Sequence, residues 1–346
     1  MRTSKSITVV GCHAEGEVGR VVTGGVLPPP GASLFEQKQY LENFGDDLRK
    51  FLLYEPRGGA HVHANLIVPP IHPDADAGFI IMEATDYPPM SGSNSICVAT
   101  VLLETGMVAM QEPETRMILE TPGGLIEAVA ACRDGRCENV AIQNVPSFVS
   151  LSDGSVEISG IGAVAVDIAY GGAFFAIVDA AELGFSLIPQ EARELVELGE
   201  RIKEAVANKY PVVHPENPEI NSVTFTQFAG PVERDAEGQL AGRNAVVISP
   251  GKIDRSPCGT GSSARLAVMQ SKNEIRVGER FISRSIIGSE FQCDIVSETR
   301  VGEVAAIVPR IAGRAWITGT HQYCLDPSDP FPEGYTLTDT WYRALS

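Results

Sequence analysis

The sequence predicts an α+β protein of two similar domains, each built as a buried central helix wrapped by β-strands. Three observations carry that expectation. Short β-rich runs bounded by turn residues recur along most of the 346-residue chain. Three helical stretches stand out between them, and two of these are apolar on nearly every side, as a helix enclosed by other elements must be. A short pattern is also written twice, Pro89-Met90-Ser91-Gly92-Ser93-Asn94-Ser95 and Ser256-Pro257-Cys258-Gly259-Thr260-Gly261-Ser262, each copy directly before one of the apolar helices. A chain of this length exceeds a typical single domain, so two cores are expected.

The strand-like runs fall at 7–10, 64–68, 78–83, 116–120, 163–166 and 173–178. The first apolar helix, 95–104, carries Ile96, Val98, Ala99, Val101, Leu102 and Leu103 and stops at Gly106, a residue suited to end it. The second, 262–271, carries Ala264, Leu266, Ala267, Val268 and Met269. Between them the stretch 190–209 is rich in charge and reads as a solvated outer helix. The doubling extends upstream of the loops. A run ending near Glu83, then Pro88 and Pro89, leads to Ser91; the run 244–249, then Pro250 and Pro257, leads to Cys258. That order predicts a pseudo-twofold arrangement with an active site between the halves. The expected domains are 1–147 and 148–324, with a crossing at 144–148 and a tail, 325–346, whose Pro-rich portion returns to the first domain.

Composition narrows the partners. With 44 acidic residues against 27 Lys and Arg, the net charge is −17, which repels phosphate backbones and argues against nucleic acid and anionic membranes. The first residues run into a strand without the apolar stretch of a signal peptide, and no run is long enough to span a bilayer, so a cytoplasmic address is expected. Seven scattered cysteines without a C-x-x-C pair read as reduced thiols, most of them small core residues.

The twin loops point to proton chemistry at carbon. A helix amino terminus offers unpaired N–H groups and the positive end of the macrodipole, so two such ends would hold a carboxylate, and Gly92 and Gly259 let it approach the backbone. The same surroundings are expected to lower the Cys258 thiol from its ordinary pKa of about 8.5, making it a base. If the bound carboxylate belongs to an amino acid, fixed N–H donors stabilise the charge left by Cα deprotonation, at roughly 3–4 kcal/mol each. Asp254, four residues before Cys258, either binds the substrate nitrogen or serves an Asx turn in its own loop. Ser91 alone reads as a helix N-cap, a role that does not exclude a chemical one.

Other signals lead elsewhere. His61 and His63 form an H-x-H pair without a third ligand at convincing spacing, so no metal is expected; His63 instead reads as a neighbour of the substrate site. Hydrogen bonding within the fold is the simpler role for His13 and Glu17. Gly259-x-Gly261 followed by Ser262 and Ser263 is similar to a phosphate cradle, but no Walker lysine follows and nucleotide is not expected.

The segments Cys12-His13-Ala14-Glu15-Gly16-Glu17, Gly24-Gly25, Glu55-Pro56-Arg57-Gly58-Gly59, Met90-Ser91-Gly92-Ser93 and Asp254-Arg255-Ser256-Pro257-Cys258-Gly259-Thr260-Gly261 together resemble the proline racemase family, which includes hydroxyproline 2-epimerases and trans-3-hydroxy-L-proline dehydratases. The resemblance spans nearly the whole chain. It implies a diaminopimelate-epimerase-like fold, no cofactor, and a homodimer. It also implies that Gly92, Ser93, Gly259 and Thr260 hold the substrate carboxylate and Asp254 the ring nitrogen. Racemases of the family carry cysteine in both loops; here the first is Ser91, and Ser93 stands where a histidine often follows. A hydroxyl is a poor partner for two-way proton exchange at carbon, yet it can assist a departing hydroxyl. The expected activity is therefore dehydration of trans-3-hydroxy-L-proline to Δ1-pyrroline-2-carboxylate, with Cys258 and Ser91 catalytic. 4-Hydroxyproline 2-epimerase is the alternative, and a catalytically silent amino-acid-binding protein the non-enzymatic one.

Overall fold

The computed structural model describes residues 3–248 and 250–342. The chain divides into two compact units, residues 1–142 with 313–346, and 143–312. The sequence placed these changes at 147/148 and 324/325. The strand Ala315–Leu325 lies in the first unit because it pairs antiparallel with Lys5–Ala14, a long-range contact that no local pattern reveals. Of the expected strand 244–249, residues up to Ile248 lie in the strand Leu240–Ile248; Ser249 lies outside the described residues.

Each unit repeats one order of pairings. In the first, the strand Glu17–Gly24 crosses through α1 (Leu34–Phe44) and α2 (Asp47–Leu53) to its parallel neighbour Val62–Val68, which turns into the antiparallel Ala77–Met82. That strand crosses through α3 (Gly92–Glu104) to the parallel Glu114–Thr121, followed by the antiparallel Gly124–Arg133. In the second, Phe174–Asp179 crosses through α4 (Ala192–Lys209) to the parallel Val223–Arg234, and the antiparallel Leu240–Ile248 follows. A crossover through α5 (Gly259–Ser271) then reaches the parallel Arg280–Arg284 and the antiparallel Glu290–Val301. Parallel neighbours cannot be joined by a tight turn, so each crossover requires a helix or long loop. That requirement sets α3 and α5 in equivalent places.

Burial follows the sequence pattern. Every residue of α3 from Gly92 to Leu103 is buried, and burying each of its large aliphatic side chains contributes about 1.5–3 kcal/mol. α5 is buried from Gly259 to Met269 apart from Thr260. α4 buries only the stripe of Leu195, Val196, Leu198, Gly199, Glu200, Ile202 and Val206 and leaves its charges outward. α1 and α2 escaped the sequence reading, although Ser33 and Glu36 mark the start of α1. The Ser33 hydroxyl accepts from the Glu36 amide at 3.2 Å, and the Glu36 carboxylate reaches back to the Ala32 amide at 2.7 Å. Among the described residues no helix is long and apolar enough to cross a membrane.

Candidate active site

Ser91 is the N-cap of α3, with an extended backbone at φ −152° and ψ 127°. Its carbonyl accepts from the Ser95 amide at 3.0 Å and the Ser95 hydroxyl at 2.7 Å, fixing the first turn. The loop before it is closed by the Gly123 amide, which donates to the Pro89 carbonyl at 3.0 Å. The Ser91 hydroxyl makes no capping bond. It accepts instead from Asn94 Nδ2 at 3.0 Å and lies 3.4 Å from the Ser93 hydroxyl. The amides of Gly92 and Ser93 thus begin a buried helix with no side chain folded over them, which suits an anion.

Behind Ser91 lies a polar network of which the sequence reading named His63 and Glu17 but not Asn94, Asn65 or Glu83. Asn94 Nδ2 reaches His63 Nδ1 at 3.2 Å, and Asn94 Oδ1 accepts from Asn65 Nδ2 at 2.9 Å. His63 sits on the strand Val62–Val68 with its Nε2 3.4 Å from Glu17 and its Nδ1 3.5 Å from Glu83, all three buried. His63 therefore reaches Ser91 through Asn94. His61 is exposed while His63 is buried, so the two rings do not share a face. A signal for Asn94 was available: residues three apart on a helix face the same way, and Asn94 follows Ser91 by three.

Cys258 is the N-cap of α5, and its backbone is unusual, at φ 62° and ψ 107°. A positive φ in a residue with a Cβ costs energy and persists only where surrounding contacts enforce it. Those contacts begin at Asp254, whose Oδ1 accepts from both the amide and the hydroxyl of Ser256, at 3.1 and 3.0 Å. Ser256 Oγ in turn accepts from the Cys258 amide at 3.1 Å. Asp254 thus serves an Asx turn, one of the two roles the sequence left open for it. Behind the helix, Asn144 Nδ2 donates to Ser263 Oγ at 2.8 Å and to the Gly171 carbonyl at 2.9 Å, tying a glycine turn to the first turn of α5.

The electrostatics of the thiol run against the sequence expectation. Burial pushes the Cys258 thiol well above its ordinary range, and the Asp254 carboxylate raises it further. The Thr260 hydroxyl, 3.6 Å from Sγ, and the Gly261 amide, which donates to it at 3.4 Å, pull in the other direction without prevailing. Desolvation disfavours a thiolate more than one oriented amide and one hydroxyl favour it. Burial and Asp254 thus favour the protonated thiol.

Two crossover helices, one opening on a hydroxyl and the other on a buried thiol, define a protein of the diaminopimelate-epimerase-like fold. The architecture is shared with a PhzF-family phenazine biosynthesis protein from Bacillus anthracis, at a TM-score of 0.58 over 93% of this chain and 100% of that one. At 11% identity that likeness concerns the fold alone. The Proline racemase family profile matches residues 9–336, and the chain belongs to that family. It is 43% identical to a hydroxyproline epimerase from Agrobacterium vitis solved with trans-4-hydroxy-L-proline, covering 99% of this chain and 98% of that one at a TM-score of 0.90. It is 46% identical to a probable proline racemase from Agrobacterium radiobacter K84 solved with carbonate, over 97% and 98% of the two chains, at a TM-score of 0.89.

Proposed function

We propose that the protein is a trans-3-hydroxy-L-proline dehydratase. The observation that carries this reading is the unequal pair of helix caps: Ser91 opens α3 with a hydroxyl, whereas Cys258 opens α5 with a thiol. The amides of Gly92 and Ser93, and those of Gly259 and Thr260, hold the substrate carboxylate. Asp254 takes the ring nitrogen, which arrives as a cation. Its charge offsets the carboxylate that raises the thiol, so thiolate becomes accessible when substrate is bound.

Cys258 then removes the Cα proton, and the electron pair left on Cα forms a double bond to C3 as the C3–O bond breaks. Ser91 gives its proton to the departing hydroxide, which leaves as water. The enamine tautomerises to Δ1-pyrroline-2-carboxylate, and the proton held by sulfur returns to Ser91 through solvent. Hydroxyproline as the substrate class is supported by the 43% identical relative with bound trans-4-hydroxy-L-proline.

That relative also favours a second reading, 4-hydroxyproline 2-epimerase. A 4-hydroxyl is not β to the carbanion and cannot leave by this route, so the two substrates separate the activities. Proton NMR in D2O should show wild type converting trans-3-hydroxy-L-proline to the pyrroline carboxylate, Cys258→Ala doing neither elimination nor Cα exchange, and Ser91→Cys gaining exchange on 4-hydroxyproline. Inversion of 4-hydroxyproline without elimination from the 3-hydroxy substrate would establish the epimerase instead.

A further inference from the structure

We propose that Asn94 is a positioning residue that keeps Ser91 poised as a hydrogen donor, so that it directs the fate of the carbanion toward elimination. The inference rests on the dehydratase reading. It begins at a backbone atom whose role is unambiguous: the Arg20 carbonyl can only accept. The Asn65 atom 3.3 Å from it is therefore the amide nitrogen. The same nitrogen lies 2.9 Å from Asn94, which makes the atom it meets the Asn94 oxygen. The remaining end of the Asn94 carboxamide is then its nitrogen, and this donates to Ser91 Oγ at 3.0 Å and to His63 Nδ1 at 3.2 Å.

Two consequences follow for chemistry. Because Ser91 Oγ accepts from Asn94, its own hydrogen is not used there, and the nearest other described hydroxyl, that of Ser93, lies at a weak 3.4 Å. A bond donated to the oxygen also polarises the O–H toward its next acceptor, which suits a leaving hydroxyl. The arrangement is held firmly. Asn65, Asn94 and His63 are at most 2% exposed, and a Cβ on Gly19 would stand 2.9 Å from Asn94 Oδ1, so only glycine there leaves the carboxamide its room. His63 stands against the far side of the amide, its Nε2 3.4 Å from Glu17 and its Nδ1 3.5 Å from Glu83.

Asn94→Asp preserves the shape and reverses the bond, because a carboxylate accepts the Ser91 hydrogen and removes it from the substrate. The readout is the partition of one carbanion. In D2O, trans-3-hydroxy-L-proline either loses water or regains a deuteron at Cα from Cys258. Asn94→Asp should lower kcat for elimination about 100-fold, the scale of a lost general acid, while Cα exchange and KM stay within about threefold, matching Ser91→Ala. Asn65→Asp supplies a second variant: its new carboxylate turns the Asn94 amide around and should shift the partition the same way. If Ser91→Ala shifts the partition and neither asparagine variant does, the inference is overturned and the dehydratase reading stands. If wild type releases no pyrroline carboxylate, or Ser91→Ala leaves the partition unchanged, the reading of Ser91 fails and the inference with it.

Discussion

A buried sulfur beside a carboxylate has a pH signature. Since burial and Asp254 raise the Cys258 pKa, the protonated form is favoured, and at any pH below that pKa the thiolate fraction falls about tenfold for each unit of elevation. Alkylation of Cys258 by iodoacetamide in the ligand-free protein should therefore climb steadily from about pH 7 to about pH 10 instead of levelling off near the ordinary thiol value of about 8.5. Peptide mapping by mass spectrometry separates it from Cys324, which alone of the seven cysteines is not buried. Asp254→Asn should shift the Cys258 curve to lower pH, with several-fold faster labelling at neutral pH, and yet lower kcat/KM because the ring nitrogen loses its partner. A plateau below pH 8.5 in wild type would contradict the burial argument. The places of Ser91 and Cys258 ahead of two helices were legible in the sequence because the pattern that marks them is local. The direction of the thiol shift was not, because helix-end amides show in sequence whereas desolvation is a product of the whole fold.

At the scale of elements, the outcome turned on the first turns of α3 and α5. The sequence started these helices at residues 95 and 262, but they begin at Gly92 and Gly259. Gly is a weak helix former for its backbone freedom, Ser and Thr because their hydroxyls favour caps, so local propensity assigned them to loops; enclosure by strands overrides it. The turn at Gly171 and Gly172 supplies part of that enclosure for α5. A Cβ at Gly171 would lie 2.2 Å from the Thr260 carbonyl and 2.5 Å from the Ala264 amide, both backbone atoms that cannot swing aside. Gly171→Ala should thus cost about 1–3 kcal/mol, lower Tm by several degrees, and raise KM by displacing the Thr260 amide. Gly24→Ala is the control: its Cβ would meet only the Thr8 side chain at 3.7 Å, and it should change stability by less than about 0.5 kcal/mol. Equal thermal shifts in the two variants, read by calorimetry, would count against Gly171 as a support of the helix start.

At the scale of the molecule, chain length announced two units, while the path of the carboxyl-terminal residues had to be seen. The Glu55-Pro56-Arg57-Gly58-Gly59 segment of the family resemblance has a structural occupation at Arg57. Its guanidinium donates to the Phe331 and Pro332 carbonyls at 2.7 and 3.1 Å, pairs with Asp329 at 3.0 Å, and sits over the Phe51 ring at 4.4 Å from the centroid. Further along, the Tyr335 amide donates to the Glu55 carbonyl at 2.9 Å, and Trp341 is buried edge-on against Tyr54. Arg57 thus clamps the tail onto the first unit by bonds a lysine cannot reproduce, since its single ammonium lacks the planar fork that reaches several oxygens at once. Charged hydrogen bonds of this kind contribute about 1.5–3 kcal/mol each. With Trp316→Phe as background, Trp341 is the sole tryptophan, and its emission reports the tail. Both Arg57→Ala and Arg57→Lys should move that emission to longer wavelength and speed proteolytic cleavage within 326–342. Wild-type emission and cleavage rates in both variants would mean that Trp341 and Tyr335 hold the tail without the guanidinium.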